Sequence, residues 1–173
     1  AGSSAGLIYF AKDAQIGIPM TPDLSSIQVF LDSITPRMTN KPGTSSRDIH
    51  HVLEDLLKMD SGTARKQKLI LLFSDGEFQD DPSALVRLIA SRPDTTLMTF
   101  LCGSKKSPVP EYTLSGLHAG AFSTPDQKSL QAAAGSANGA SFDLSRTTSI
   151  ALEKDLLARA HDIEIQGKPT PYY

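Results

Sequence analysis

Five apolar residues in a row, Leu69-Ile70-Leu71-Leu72-Phe73, end abruptly in Ser74-Asp75-Gly76-Glu77. A half-solvated strand alternates apolar and polar residues. An unbroken apolar run instead suits a strand covered on both faces, as in parallel α/β sheets. Residues 69–73 are therefore expected to be such a strand. Residues 97–101 and 140–144, each bounded by turn residues, are expected to lie parallel to it in one sheet. Leu7-Ile8-Tyr9-Phe10 and Gln15–Met20 are separated by a short link around Lys12-Asp13 and read as an antiparallel hairpin.

Between these runs lie helical patterns. Leu24, Ile27, Leu31 and Ile34 share one face, with Thr21 expected as N-cap, Pro22 in the first helical position and Pro36 as the stop. Ile49, Val52, Leu53 and Leu56 form a second stripe, starting near Ser45 or Ser46 and ending at Asp60-Ser61-Gly62. Asp81-Pro82 opens a third helix, carrying Leu85, Leu88 and Ile89. Thr124-Pro125 opens a fourth, running to about Ala134. A last helix is expected over 148–161. Residues 105–123 read as a loop with room for a small hairpin around Tyr112 and Phe122. Strands and helices alternate, so the fold class is α/β with a mainly parallel sheet, one antiparallel edge hairpin and helices on both faces. Residues 1–165 read as a single domain and 166–173 as an irregular tail, with no internal repeat or linker.

Charge and composition remove several functions. Lysine plus arginine number 17 against 19 acidic residues, a net charge of −2, and no basic stripe is present for a nucleic-acid backbone. The single cysteine, Cys102, excludes an internal disulfide framework and a cysteine-rich zinc site. No apolar stretch approaches the ~18 residues of a membrane span.

Ligands of open α/β sheets bind beyond the carboxyl ends of the strands. There, Ser74-Asp75-Gly76-Glu77 leaves a strand, and Lys41-Pro42-Gly43-Thr44-Ser45-Ser46 enters a helix. Both offer hydroxyl and carboxylate oxygens, hard ligands that suit magnesium, calcium or manganese better than zinc. The acidic set Asp75, Glu77, Asp80 and Asp81 reads as a solvated loop, with Asp81 capping the next helix, in preference to a second cation cluster. Gly43-Thr44-Ser45-Ser46 has the form of an anion-binding helix entry but lacks the lysine and glycine spacing of a phosphate loop. His50 and His51, adjacent on a helix, do not face one site and read as a solvated or half-buried pair. Cys102 reads as a small buried hydrophobe. His118 and His161 have no nucleophile motif beside them, and no Gly-x-Ser-x-Gly elbow is present.

The stretches Gly6–Ala14, Pro19–Asp23, Phe30–Ile34, Pro42-Gly43-Thr44, Leu71–Glu77, Asp126–Ala134 and Gly139–Ser145, in this order and spacing, resemble the von Willebrand factor type A family. The similarity runs from Gly6 to about His161 and is closest to the bacterial membrane-anchored Bat-type (aerotolerance) branch. The resemblance implies a Rossmann-like fold and a metal-ion-dependent adhesion site built from three loops. Thr44 corresponds to the threonine of the second loop and Asp75 to the aspartate of the third. An Asp-x-Ser-x-Ser motif after a central first strand has no counterpart, since the sequence opens just before the family's second strand. The chain therefore reads as truncated, with unpaired edges expected on both neighbours of the missing strand. Asp143-Leu144-Ser145-Arg146-Thr147 reads as Asp-x-Ser-x-Thr. It falls where the family's last strand meets its last helix, a reading preferred to a circular permutation.

The function expected is a non-enzymatic protein-interaction module. Thr44 and Asp75 would serve a magnesium, manganese or calcium ion, Gly43, Ser45, Gly76 and Glu77 would bind the partner, and a partner carboxylate would complete the coordination. Their side chains should then lie within ~10 Å of each other, since inner bonds to such ions are about 2.0–2.6 Å. In this chain alone the ion should be absent or weakly held. The alternative is a magnesium-dependent phosphohydrolase or phosphotransferase using Asp75, although no second aspartate follows two residues on. The implied setting is a domain of a bacterial inner-membrane protein, on the periplasmic side, reaching the membrane only through flanking segments.

Overall fold

The computed structural model describes residues 3–35, 38–39, 41, 43–59, 67–103, 107–113, 116–148, 152–154 and 156–158, with 107–113 and 116–123 described by their backbone. Two compact units make up the chain. The first comprises residues 1–63 and 78–88, and the second residues 64–77 and 89–173.

In the first unit β1 (Ala5–Phe10) and β2 (Ala14–Thr21) form the expected antiparallel hairpin, with irregular register near Leu7. Helices α1 (Leu24–Ser33) and α2 (Ser46–Met59) pack on it. Both contacts use glycine: the Phe30 ring lies where a Cβ on Gly17 would stand, and a Leu56 methyl lies over Gly6. Of the predicted stripe of α2, Ile49, Leu53 and Leu56 are buried and Val52 is half-buried. By contrast α1 buries no residue fully. Its N-cap is Asp23 and not Thr21: the Asp23 carboxylate accepts the Ser25 N–H at 3.1 Å and the Ser26 hydroxyl at 2.6 Å. Pro22 thus precedes the cap instead of opening the helix.

In the second unit β3 (Lys68–Ser74), β4 (Thr95–Leu101) and β7 (Ser141–Asp143) form a parallel sheet in the order β3-β4-β7. The middle strand is the core: Met98, Thr99 and Phe100 are completely buried. Helix α4 (Gln127–Ser136) packs on β4, where the Thr99 hydroxyl donates to the Leu130 carbonyl at 3.2 Å. Phe73, Phe100 and Phe142 stack in register across the three strands, with centroids 4.5 and 5.4 Å apart. Helix α3 (Ser83–Ala90) carries the chain from the first unit into the second, and its Leu85 and Ile89 are buried.

One expectation is overturned here. The apolar run 69–73 is a strand, but it is covered on one face only: Leu72 and Ser74 are buried while Leu71 and Phe73 are 44% and 51% exposed. Among the described residues β3 pairs with β4 alone and β1 with β2 alone, so each keeps an open edge. Side chains of a strand alternate between the two faces of its sheet, so Leu71 and Phe73 meet solvent because no described element covers their face of this edge strand, while Leu72 and Ser74 lie on the covered face.

The fourth helix also starts later than expected, at Gln127. Asp126 is its N-cap, accepting the Ser129 N–H at 3.1 Å, and the helix extends to Ser136. The small hairpin for which residues 105–123 had room is present, as β5 (Ser107–Thr113) antiparallel to β6 (Gly116–Ser123). Residues 152–154 and 156–158 are helical. The rest of the predicted last helix, His161 and the tail 166–173 lie outside the described residues, as does the side chain of His118.

Candidate functional site

Thr44 belongs to the first unit and sits one residue before the N-cap of α2. Ser45 is that cap: its hydroxyl accepts the Asp48 N–H at 3.2 Å and its carbonyl the Ile49 N–H at 3.3 Å. The two remaining free amides of the first turn go elsewhere. Ser46 N–H donates to Asp80 at 2.7 Å and Arg47 N–H donates to the same carboxylate at 3.2 Å. The hydroxyls of Ser45 and Ser46 donate to it as well. One carboxylate thus collects four donors at a helix N-terminus, where the helix dipole also favours negative charge. Partial burial works to raise the Asp80 pKa, but the Ser46, Arg47 and Ser45 donors outweigh it and bring it to about 2. The helix entry that had the form of an anion site is therefore filled from within the chain.

The neighbouring contacts tighten this loop. Gln79 N–H donates to the Thr44 carbonyl at 2.9 Å. Gly43 has φ +119° and its missing side chain leaves the space taken by the Gln79 amide group. A side chain at 43 would be strained twice, by backbone conformation and by contact. Lys41 pairs with Asp13 at 3.0 Å. Neither Gln79 nor Asp80 stood out from the sequence as more than loop. The available signal was a pair of adjacent aspartates before a helix that needs only one cap. Asp81 takes that cap, accepting the Ser83 N–H at 3.0 Å, which leaves Asp80 without a local task.

Asp75 lies in the second unit, just past the end of β3. Its carboxylate accepts the Glu77 N–H at 3.1 Å, and its carbonyl accepts the Asp126 N–H at 2.8 Å. Gly76 is buried, with φ +81°, and a Cβ there would stand 2.4 Å from the Asp126 carbonyl oxygen. The glycine is required because the chain folds back directly under α4. Glu77 accepts the Thr124 N–H at 3.2 Å. Ser74, Leu101 and Asp143 are in register at the carboxyl edge of the sheet. Beside them Cys102 is half-buried, and burial, followed by the Asp75 charge, pushes its thiol up. Asp143 accepts both the Ser145 N–H at 2.9 Å and the Ser145 hydroxyl, which hold its carboxyl below the usual range despite partial burial. His50 and His51 face each other edge to face at 5.2 Å on α2.

The acidic set therefore divides. Asp80 serves α2, Asp81 serves α3, Glu77 meets Thr124, and Asp75 turns its own loop. Among the described residues no group of three or more His, Cys, Asp or Glu side chains is placed to hold a metal ion. The Thr44 hydroxyl and Asp75 carboxylate are the right chemistry for a hard cation, but they supply two of the six or more oxygens it takes.

The sequence model for the von Willebrand factor type A domain matches residues 1–149. The chain belongs to this family. The von Willebrand factor type A domain is a common protein-interaction module, and its α/β fold is the one seen here. Among solved structures, the conserved hypothetical protein BatB of Bacteroides thetaiotaomicron is similar at 18% identity and TM-score 0.73, over 95% of this chain and 80% of that one. An aerotolerance-related membrane protein of Bacteroides fragilis, carrying multiple mutations to serine, is similar at 20% identity and TM-score 0.69, over 90% of this chain and 77% of that one. These likenesses establish a shared fold. No curated protein is significantly similar in sequence. Among the described residues no helix is long and apolar enough to cross a membrane.

Proposed function

We propose that this type A domain is a non-enzymatic interaction module that binds a protein partner through a divalent ion, magnesium in the first instance, served by Thr44 and Asp75. Gly43, Ser45, Gly76 and Glu77 would bind the partner, and a partner carboxylate would complete the ion's shell. The setting proposed is a domain of a bacterial inner-membrane protein of the Bat type, on the periplasmic side, touching the membrane only through flanking segments. That setting rests on the motif resemblance and on the names of the structural neighbours.

The observation that carries the reading is the match to the type A domain over residues 1–149, which spans both Thr44 and Asp75. In the site Thr44 would offer a neutral oxygen and Asp75 a charged one, and the ion supplies a positive centre for an acidic partner group.

Isothermal titration with magnesium and manganese tests the reading on this chain and on the full-length native protein. We expect no binding, or millimolar binding, by the 173-residue chain, and tighter binding, lost in Asp75→Ala, by a longer native protein whose upstream segment supplies an Asp-x-Ser-x-Ser motif. Micromolar binding by the short chain, retained in Asp75→Ala, would place the ion elsewhere, with Asp143-x-Ser145-x-Thr147 the first segment to examine. Magnesium-dependent turnover of a simple phosphate ester that disappears in Asp75→Asn would replace the module reading with a phosphohydrolase.

A further inference from the structure

We propose that Asp80 is the positioning residue of the Thr44 loop: its carboxylate, with the Gln79 amide beside it, sets the conformation in which Thr44 is presented. The inference rests on the reading that Thr44 serves an ion, and it adds a residue that touches neither ion nor partner.

The geometry is confined to one unit. Four donors from Ser45, Ser46 and Arg47 converge on the Asp80 carboxylate across more than thirty residues of sequence. One residue away, Gln79 fixes the Thr44 carbonyl and its side chain fills the space above Gly43. Thr44 is thus held from both sides, by Gly43 against Gln79 and by Ser45 and Ser46 against Asp80. A helix needs only an N-cap to start, and Ser45 already provides one. The additional carboxylate fixes where the loop before the helix lies, which is the property a ligand-bearing loop needs and a plain helix start does not. A charged acceptor suits this task because hydrogen bonds to ionised groups are about twice as strong as neutral ones.

The test is amide hydrogen exchange on the metal-free chain, comparing wild type with Asp80→Ala, Asp80→Asn and the neighbouring cap variant Asp81→Ala. The expected result is at least tenfold faster exchange at Ser46, Arg47 and Gln79 in Asp80→Ala and a smaller increase in Asp80→Asn. Amides of β4 should keep wild-type rates, and Asp81→Ala should leave Ser46, Arg47 and Gln79 unchanged. Unchanged protection at those three amides would overturn the proposal. So would faster exchange spread equally through β4, because that is the mark of general destabilisation. Asp80→Asn, which keeps size and one acceptor, carries the test if Asp80→Ala does not fold. In the full-length native protein the same substitution should weaken manganese binding at least tenfold. Because the exchange readout contains no metal, a native protein that binds no manganese overturns the ion reading and leaves the loop result standing on its own.

Discussion

At the scale of single residues, the glycines separate backbone necessity from helix propensity. A Cβ on Gly139 would stand 1.5 Å from the Leu97 carbonyl oxygen, backbone of the central strand that cannot retreat. Gly139→Ala should therefore cost about 3 kcal/mol, the upper end for overpacking, or prevent folding. Gly135, on α4, meets nothing within 4 Å. There the change to alanine should gain about 0.5–1 kcal/mol from helix propensity. Urea unfolding of the two variants measures both, and opposite signs are expected. Asp80 gives a pH signature at the same scale. Its folded pKa of about 2 lies below the ordinary 3.8. A depressed carboxylate stabilises the fold above its unfolded pKa, and that contribution is lost as pH falls through the folded value. Between about pH 4 and pH 2 the wild type should lose stability on the order of 1 kcal/mol more than Asp80→Asn. The effect stays below the full linkage value because the side chain is partly open to solvent. Unfolding midpoints across that range provide the check.

At the scale of elements, existence and type were legible, and ends and neighbours less so. The stripe Ile49, Leu53, Leu56 predicted α2 and its buried face because helical periodicity there coincides with the packing contact. The parallel arrangement of β3, β4 and β7 likewise followed from the unbroken apolar run 69–73 and from strands that alternate with helices. The starts of α1 and α4 were each misplaced at the same triplet, Thr-Pro-Asp. Proline can occupy the first helical turn, which favoured threonine as the cap. In both cases an aspartate follows, with serine two or three residues further on, and a carboxylate can take a backbone amide and a serine hydroxyl together. The local signal was present, but the stronger acceptor decided it. For β3 the missing information was not local. Nothing in Leu69–Phe73 reports what packs over each face of the strand, and the exposure of Leu71 and Phe73 depends on that cover. Hydrogen exchange should show the open edge directly. Alternate amides of β3 should be protected and the others fast, while β4, paired on one side with β3 and on the other with β7, is protected more continuously. Uniform protection along β3 would mean that a further strand covers it in solution.

At the scale of the whole molecule, family and fold could be read in the sequence because they are spread over many short matches in order. The candidate site was legible only as two residues. Thr44 and Asp75 follow from motif positions, whereas Gln79 and Asp80, which hold the Thr44 loop, act across a sequence distance that no local pattern records. In the proposed site one divalent ion joins Thr44 and Asp75. Manganese titrated into isotopically labelled full-length protein tests this most directly, because a paramagnetic ion broadens the nearest amide signals first. Early loss of the Thr44, Ser45, Asp75 and Gly76 signals together, abolished by Asp75→Ala, is expected. Broadening that begins at Asp143–Thr147, that touches only one of the two loops, or that is absent throughout the titration would contradict it.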